Sequence, residues 1–76
     1  MLLSELAIGR HGQVLRVEGS DDISMRLMEM GLTPGVAVRM LGKAPLGDPL
    51  EVEVRGYRLS VRKSEASRVV MSPSTA

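Results

Sequence analysis

The chain has 76 residues, 43% of them hydrophobic and 25% charged, with a net charge of +1 and no cysteine. That length allows one domain, the composition excludes a disordered chain, the near-neutral charge does not by itself imply an electrostatic grip on nucleic acid, and the missing cysteines exclude a disulfide-stapled secreted fold. With one Tyr and neither Phe nor Trp, the core must be aliphatic.

The opening Met1-Leu2-Leu3-Ser4-Glu5-Leu6 is too short and too acidic for a signal peptide. No stretch approaches the ~20 apolar residues of a membrane span. The expected location is therefore the cytoplasm, without insertion into the membrane. The glycines punctuate the chain as turn residues do, and His11, between Gly9 and Gly12, is expected to be a solvated turn residue.

Gln13 to Glu18 reads as a first strand. Val14, Leu15 and Val17 do not alternate strictly, which predicts a bulge or a shifted register. Ser20-Asp21-Asp22 then offers helix N-cap chemistry. Ile23, Leu27 and Met30 follow at i, i+4 and i+7, the spacing of one helix face. Gly31 suits the left-handed position that ends a helix, with Leu27 and Leu32 as the apolar pair of a Schellman motif. Met25 and Met28 lie roughly 140° to 200° round from Ile23 and off the predicted core stripe.

Thr33-Pro34-Gly35-Val36 fits a type II turn, and Val36, Val38 and Met40 alternate through a second strand. Ala44-Pro45-Leu46-Gly47-Asp48-Pro49 reads as a loop, since prolines at both ends are incompatible with a central strand. Beyond it, Arg55-Gly56 as the two turn residues of a hairpin set Val54 against Tyr57, Val52 against Leu59 and Leu50 against Val61. Glu53 then meets Arg58 and Glu51 meets Ser60 on the other face. A slip of one residue would set every apolar side chain against a polar one. Lys63 to Ser67 reads as a polar connector with room for one helical turn. Arg68 to Met71 reads as a last strand, and residues 72–76 as a frayed tail after a domain of residues 1–71. The expected fold is mainly β, a small SH3-like β-barrel of five to six strands with one short α-helix inserted after the first long strand, its closure removing exposed edges.

Chemistry of its own is not expected. One histidine and scattered acids make neither a hydrolytic triad nor a ferrous-iron ligand set, and Gly42-Lys43 lacks the rest of a phosphate-binding loop. No catalytic residue, no metal ligand and no cofactor are assigned. The candidate surface is a partner-binding one. It comprises Met25, Met28 and Glu29 on the helix, because methionine adapts to a partner's shape, together with Pro45, Leu46, Asp48 and Pro49 of the loop. The competing readings are an RNA-binding barrel using Arg58 and Arg62, with Tyr57 as the one stacking aromatic, and a direct metal carrier using His11 and nearby acids.

The run Arg26-Leu27-Met28-Glu29-Met30-Gly31-Leu32-Thr33-Pro34-Gly35 resembles the FeoA family pattern of Arg-Leu, two residues, a large apolar residue, Gly-Leu, any residue, Pro-Gly. Ala44 to Leu50 is similar to that family's loop between middle strands, and Arg55 to Arg62 to its Gly-containing hairpin, which runs into a segment like Ser64-Glu65-Ala66. Leu3-Ser4-Glu5-Leu6 with Gly9 and Gly12 also matches. The resemblance covers about residues 2 to 71. Met28 and Met30 stand where leucines are more usual, and Ser60 where an apolar residue is common. The resemblance implies an SH3-like domain that works in the cytoplasm beside the membrane GTPase that transports ferrous iron, at its cytosolic side; the residues themselves lead to no expectation of a nucleic-acid partner. Self-association is left open.

Overall fold

The computed structural model describes residues 1–73. Its elements are a 3-10 turn at Leu3–Glu5, strand β1 (His11–Val17), helix α1 (Asp22–Glu29), strands β2 (Ala37–Lys43), β3 (Leu50–Val54) and β4 (Tyr57–Val61), helix α2 (Lys63–Ala66) and strand β5 (Val69–Pro73). The strands form one antiparallel five-stranded sheet in the order β4-β3-β2-β1-β5. This is the expected mainly β plan, with the helix after the first strand.

The hairpin carries the predicted register at every pair, from Val54 opposite Tyr57 to Leu50 opposite Val61. Arg55 and Gly56 have φ of 51° and 82°, as the tight two-residue turn requires. Alternation sends Leu50, Val52 and Val54 into the core and leaves Glu51 and Glu53 outside. The expected bulge in β1 falls between Val14 and Arg16, which turns Leu15 outward. A second bulge between Met40 and Gly42 bends β2. The bent sheet wraps Val14, Val38, Met40, Val52, Val61, Val69 and Met71, and Leu3, Leu6, Leu27, Leu32 and Ala66 from outside the sheet complete the same core.

Helix α1 ends as expected. The Leu32 amide donates to the Leu27 carbonyl at 3.1 Å and the Gly31 amide to that of Met28 at 3.0 Å, the two bonds of a Schellman motif. Gly31 has φ of 109°, and Leu27 and Leu32 are both buried. The next turn closes through Val36 N–H to Thr33 C=O, with Gly35 at φ of 89°.

Four expectations need correcting. Ile23 is not in the core stripe: it is exposed, and the buried residues of α1 are Ser24 and Leu27. Ser24 can be buried because its hydroxyl donates to the Asp21 carbonyl at 2.8 Å. His11 is not a turn residue but the first residue of β1, opposite Arg39 and half-buried. Gly12 beside it is a strand position at which a Cβ would stand 2.6 Å from the Ser72 carbonyl oxygen, so glycine here permits close strand approach. The last strand continues through Ser72 and Pro73, paired with Gln13 and Gly12. The remainder of the predicted tail, residues 74–76, lies outside the described residues. Finally, closure does not remove both edges: β4 and β5 are not neighbours in the sheet.

Candidate functional site

The exposed arc of α1 follows from its buried stripe. Ser24 and Leu27 centre that stripe, and Ile23 and Met28 stand about 70° to either side at 100° per residue. Both are accordingly 37% exposed, while Met25, further round, is 55% exposed. Glu29 is exposed beside Met25, its neighbour at i+4. The helix thus carries a stretch of apolar and adaptable side chains facing outward.

Its start is held electrostatically. The Asp21 carboxylate accepts the Ser24 amide at 3.2 Å and lies 2.6 Å from the Arg68 guanidinium. Arg68, and after it the Ser24 amide, hold the Asp21 carboxyl below its ordinary value of 3.8. The other edge of α1 is tied to α2 by the ion pair of Arg26 with Glu65.

The loop of residues 44–49 forms the second group. The Ala44 amide donates to the Pro49 carbonyl at 3.0 Å and the Gly47 amide to that of Ala44 at 2.7 Å, which folds the loop back on itself. Pro45 and Leu46 are at its exposed tip, with Leu46 96% exposed. Asp48 and Pro49 are exposed as well. Asp48 also ties the loop to the rest of the fold, because its Oδ1 accepts the Lys63 amide at 3.0 Å, at the start of α2.

Helix α2 therefore stands between the two predicted groups. It holds the loop through Lys63 and α1 through Glu65. Met25 and Met28 lie on the side of α1 turned away from Arg26, so the structure does not merge the methionines and the loop into one continuous patch. Ile23 belongs with the exposed set, and sequence periodicity misassigned it because Ser24 gives no hydropathic sign of burial.

The outer face of the sheet has a polar row that register alone reveals. His11 lies opposite Arg39, Arg39 opposite Glu53, and Glu53 opposite Arg58, across β1, β2, β3 and β4. His11, Arg39, Glu53 and Arg55 line a shallow depression there. The Arg58 guanidinium pairs diagonally with Glu51 at 3.1 Å. Among the described residues, no three His, Cys, Asp or Glu side chains come together in a way that could hold a metal ion, and no helix is long and apolar enough to cross a membrane.

Comparison with known proteins places these features in a wider set. The FeoA domain model matches residues 1–73. A Porphyromonas gingivalis protein, a fusion of Fe(2+) transport protein A with the Fe(2+) transporter FeoB, is 35% identical over 69 residues. Those residues are 91% of this chain but 8% of that relative, so the chain spans only a small part of the fusion protein. The FeoA protein of Chlorobium tepidum superposes with a TM-score of 0.88 at 38% identity, over 96% of this chain and 70% of its own. The zinc-complexed FeoA of Stenotrophomonas maltophilia, described as a prokaryotic SH3-domain protein and a candidate activating factor of ferrous iron transport, superposes with a TM-score of 0.84 at 42% identity, over 95% and 89% of the two chains. A manganese-dependent transcriptional repressor shares the fold at 16% identity, with a TM-score of 0.87 over 96% of this chain and 36% of its own.

Proposed function

The chain belongs to the FeoA family, and from that membership we propose that it is a non-catalytic accessory module that assists or regulates the membrane ferrous-iron transport GTPase by docking on its cytosolic side. The observation that carries this reading is the Porphyromonas gingivalis fusion, in which a domain like this one shares a chain with the transporter. A covalent link of that kind holds two folded partners at high effective concentration. Where the two partners are separate chains, the same encounter has to come from their surfaces.

The contacts assigned to that surface are Met25, Met28 and Glu29 of α1 and Pro45, Leu46, Asp48 and Pro49 of the loop. Fully burying a side chain such as Met contributes about 1.5–3 kcal/mol; Met25 and Leu46 are more than half exposed and have that burial to gain. Methionine packs against irregular surfaces without a fixed rotamer. Glu29 adds a charge at the margin, where it steers and orients more than it binds.

The test is a titration of the detergent-solubilised transporter with fluorescently labelled protein. Wild type is expected to bind saturably. Met28→Glu is expected to stay folded with a Tm lower by several degrees, because Met28 is 37% exposed and gives up the rest of its burial, and to bind about tenfold or more weakly. Absence of wild-type binding would overturn the proposal. Loss of folding in Met28→Glu would instead assign that side chain to the core.

A further inference from the structure

The two edges of the sheet are treated differently. On β5 the outer edge is covered by the chain's own beginning: Leu2 bridges Val70, and the Met71 amide donates to the Met1 carbonyl at 2.6 Å. Among the described residues β3 is the only neighbour of β4, and no backbone bond from outside the sheet reaches positions 57–61.

The direction of the free groups follows from the turn. In a hairpin closed by two residues, the pair flanking the turn exchanges backbone bonds, and such pairs recur at alternate positions. Here that pair is Val54 and Tyr57. Tyr57, Leu59 and Val61 therefore spend their N–H and C=O groups on β3, and Arg58 and Ser60 point theirs out of the open edge. Unpaired strand edges of this kind accept an added strand from another chain.

Chemistry along the edge selects the strand. Arg55, Arg58, Arg62 and Lys63 fall in one run with no acidic residue between Val54 and Ser64, in a chain whose net charge is only +1; Arg58 is paired with Glu51 of β3, and among the described residues Arg55, Arg62 and Lys63 have no ion-pair partner. On the outer face the edge presents Arg58, Ser60 and Arg62. On the opposite face it presents Tyr57, 70% exposed, and half-buried Leu59. A second copy of this chain paired about Ser60 sets Arg58 against Arg62, and like charges across strands repel; an acidic segment meets no such clash in any register. A strand alternating acidic and apolar residues satisfies both faces at once.

We propose that the β4 edge is a second interaction site that accepts an extended protein segment of alternating acidic and apolar residues, paired through Arg58 and Ser60. It does not depend on the methionine face of α1 or on the transporter. The probe is a short capped peptide of alternating Val and Glu carrying a fluorophore, followed by anisotropy, with a Val and Lys peptide as control. Wild type and Ser60→Ala should bind the Glu peptide alike and ignore the Lys peptide. Ser60→Pro removes an N–H that points away from β3, a position where an edge strand tolerates proline; it should keep the fold and weaken binding by about tenfold or more. If Ser60→Pro fails to fold, the pair Arg62→Glu with Lys63→Glu decides, since both side chains are exposed and neither is in an ion pair among the described residues, and it should also lose the Glu peptide. Slowed amide exchange at Arg58 and Ser60 on peptide addition is the expected signature. The proposal is overturned if wild type ignores the Glu peptide, if folded Ser60→Pro or the charge reversal binds it as wild type does, or if β4 becomes protected by dimerisation without peptide.

Discussion

Replacing Gly12 by Ala tests the least intuitive feature of the fold. Gly12 does not need a left-handed backbone, so on conformational grounds alone alanine should stabilise by about 0.4–1 kcal/mol, through the unfolded chain. The structure predicts the opposite sign. The new Cβ would lie 2.6 Å from the Ser72 carbonyl oxygen and 3.4 Å from the Pro73 Cα, both backbone atoms that no rotamer change can move. To restore ordinary contact, β5 must retreat by roughly 0.8 Å, and forced shifts of packed backbone cost about 1–3 kcal/mol. Net of that gain the loss centres on about 1.3 kcal/mol, which in a domain of this size lowers Tm by about 5–10 °C. Gly42→Ala is the matched control, because a Cβ there meets nothing within 4 Å, and it should raise Tm by a few degrees. Thermal unfolding by circular dichroism reads both. A Gly12→Ala protein that melts at or above wild type would refute the close approach of β1 and β5.

The turn residue Arg55 holds φ of 51° without being glycine, so Arg55→Asn should stabilise by about 0.5–1 kcal/mol, seen as a higher urea midpoint with an unchanged slope. Asp21 gives a pH dependence of fixed sign. Its native carboxyl titrates below the ordinary 3.8 because Arg68 and the Ser24 amide favour the ionised form. The stability it contributes is therefore complete above that ordinary value and is lost as pH falls through the lowered native one. In Arg68→Ala the Asp21 titration, followed by NMR, should move upward, and the acid-unfolding midpoint should move upward with it.

How much could be read without coordinates depended on whether a feature was local. The hairpin was legible to the residue because a two-residue turn and two chemically distinct faces admit one register. The end of α1 was legible because Gly31 and its flanking leucines form a motif within a few positions. The tie between β1 and β5 was not. It joins segments separated by most of the chain, and its clearest trace, Gly12, looks like any turn glycine. Ser24 misled in the same way, since its hydroxyl is satisfied by a carbonyl three residues back and so tolerates burial. For the candidate site, exposure of Met25, Met28 and the Pro45–Leu46 tip followed from periodicity and loop composition. The separation of the two groups by α2 did not, because it depends on Asp48 meeting Lys63 and Arg26 meeting Glu65 across the fold.

The most direct test of the central claim is ferrous-iron uptake in cells lacking this protein, complemented with wild type or with Met25→Glu and Met28→Glu combined. Met25 is 55% and Met28 37% exposed, so the double variant should accumulate as a folded protein with a Tm lower by several degrees. The account predicts that it restores little or none of the uptake that wild type restores. Full restoration by the folded double variant would contradict it, because the helix surface would then have no part in the work of the protein.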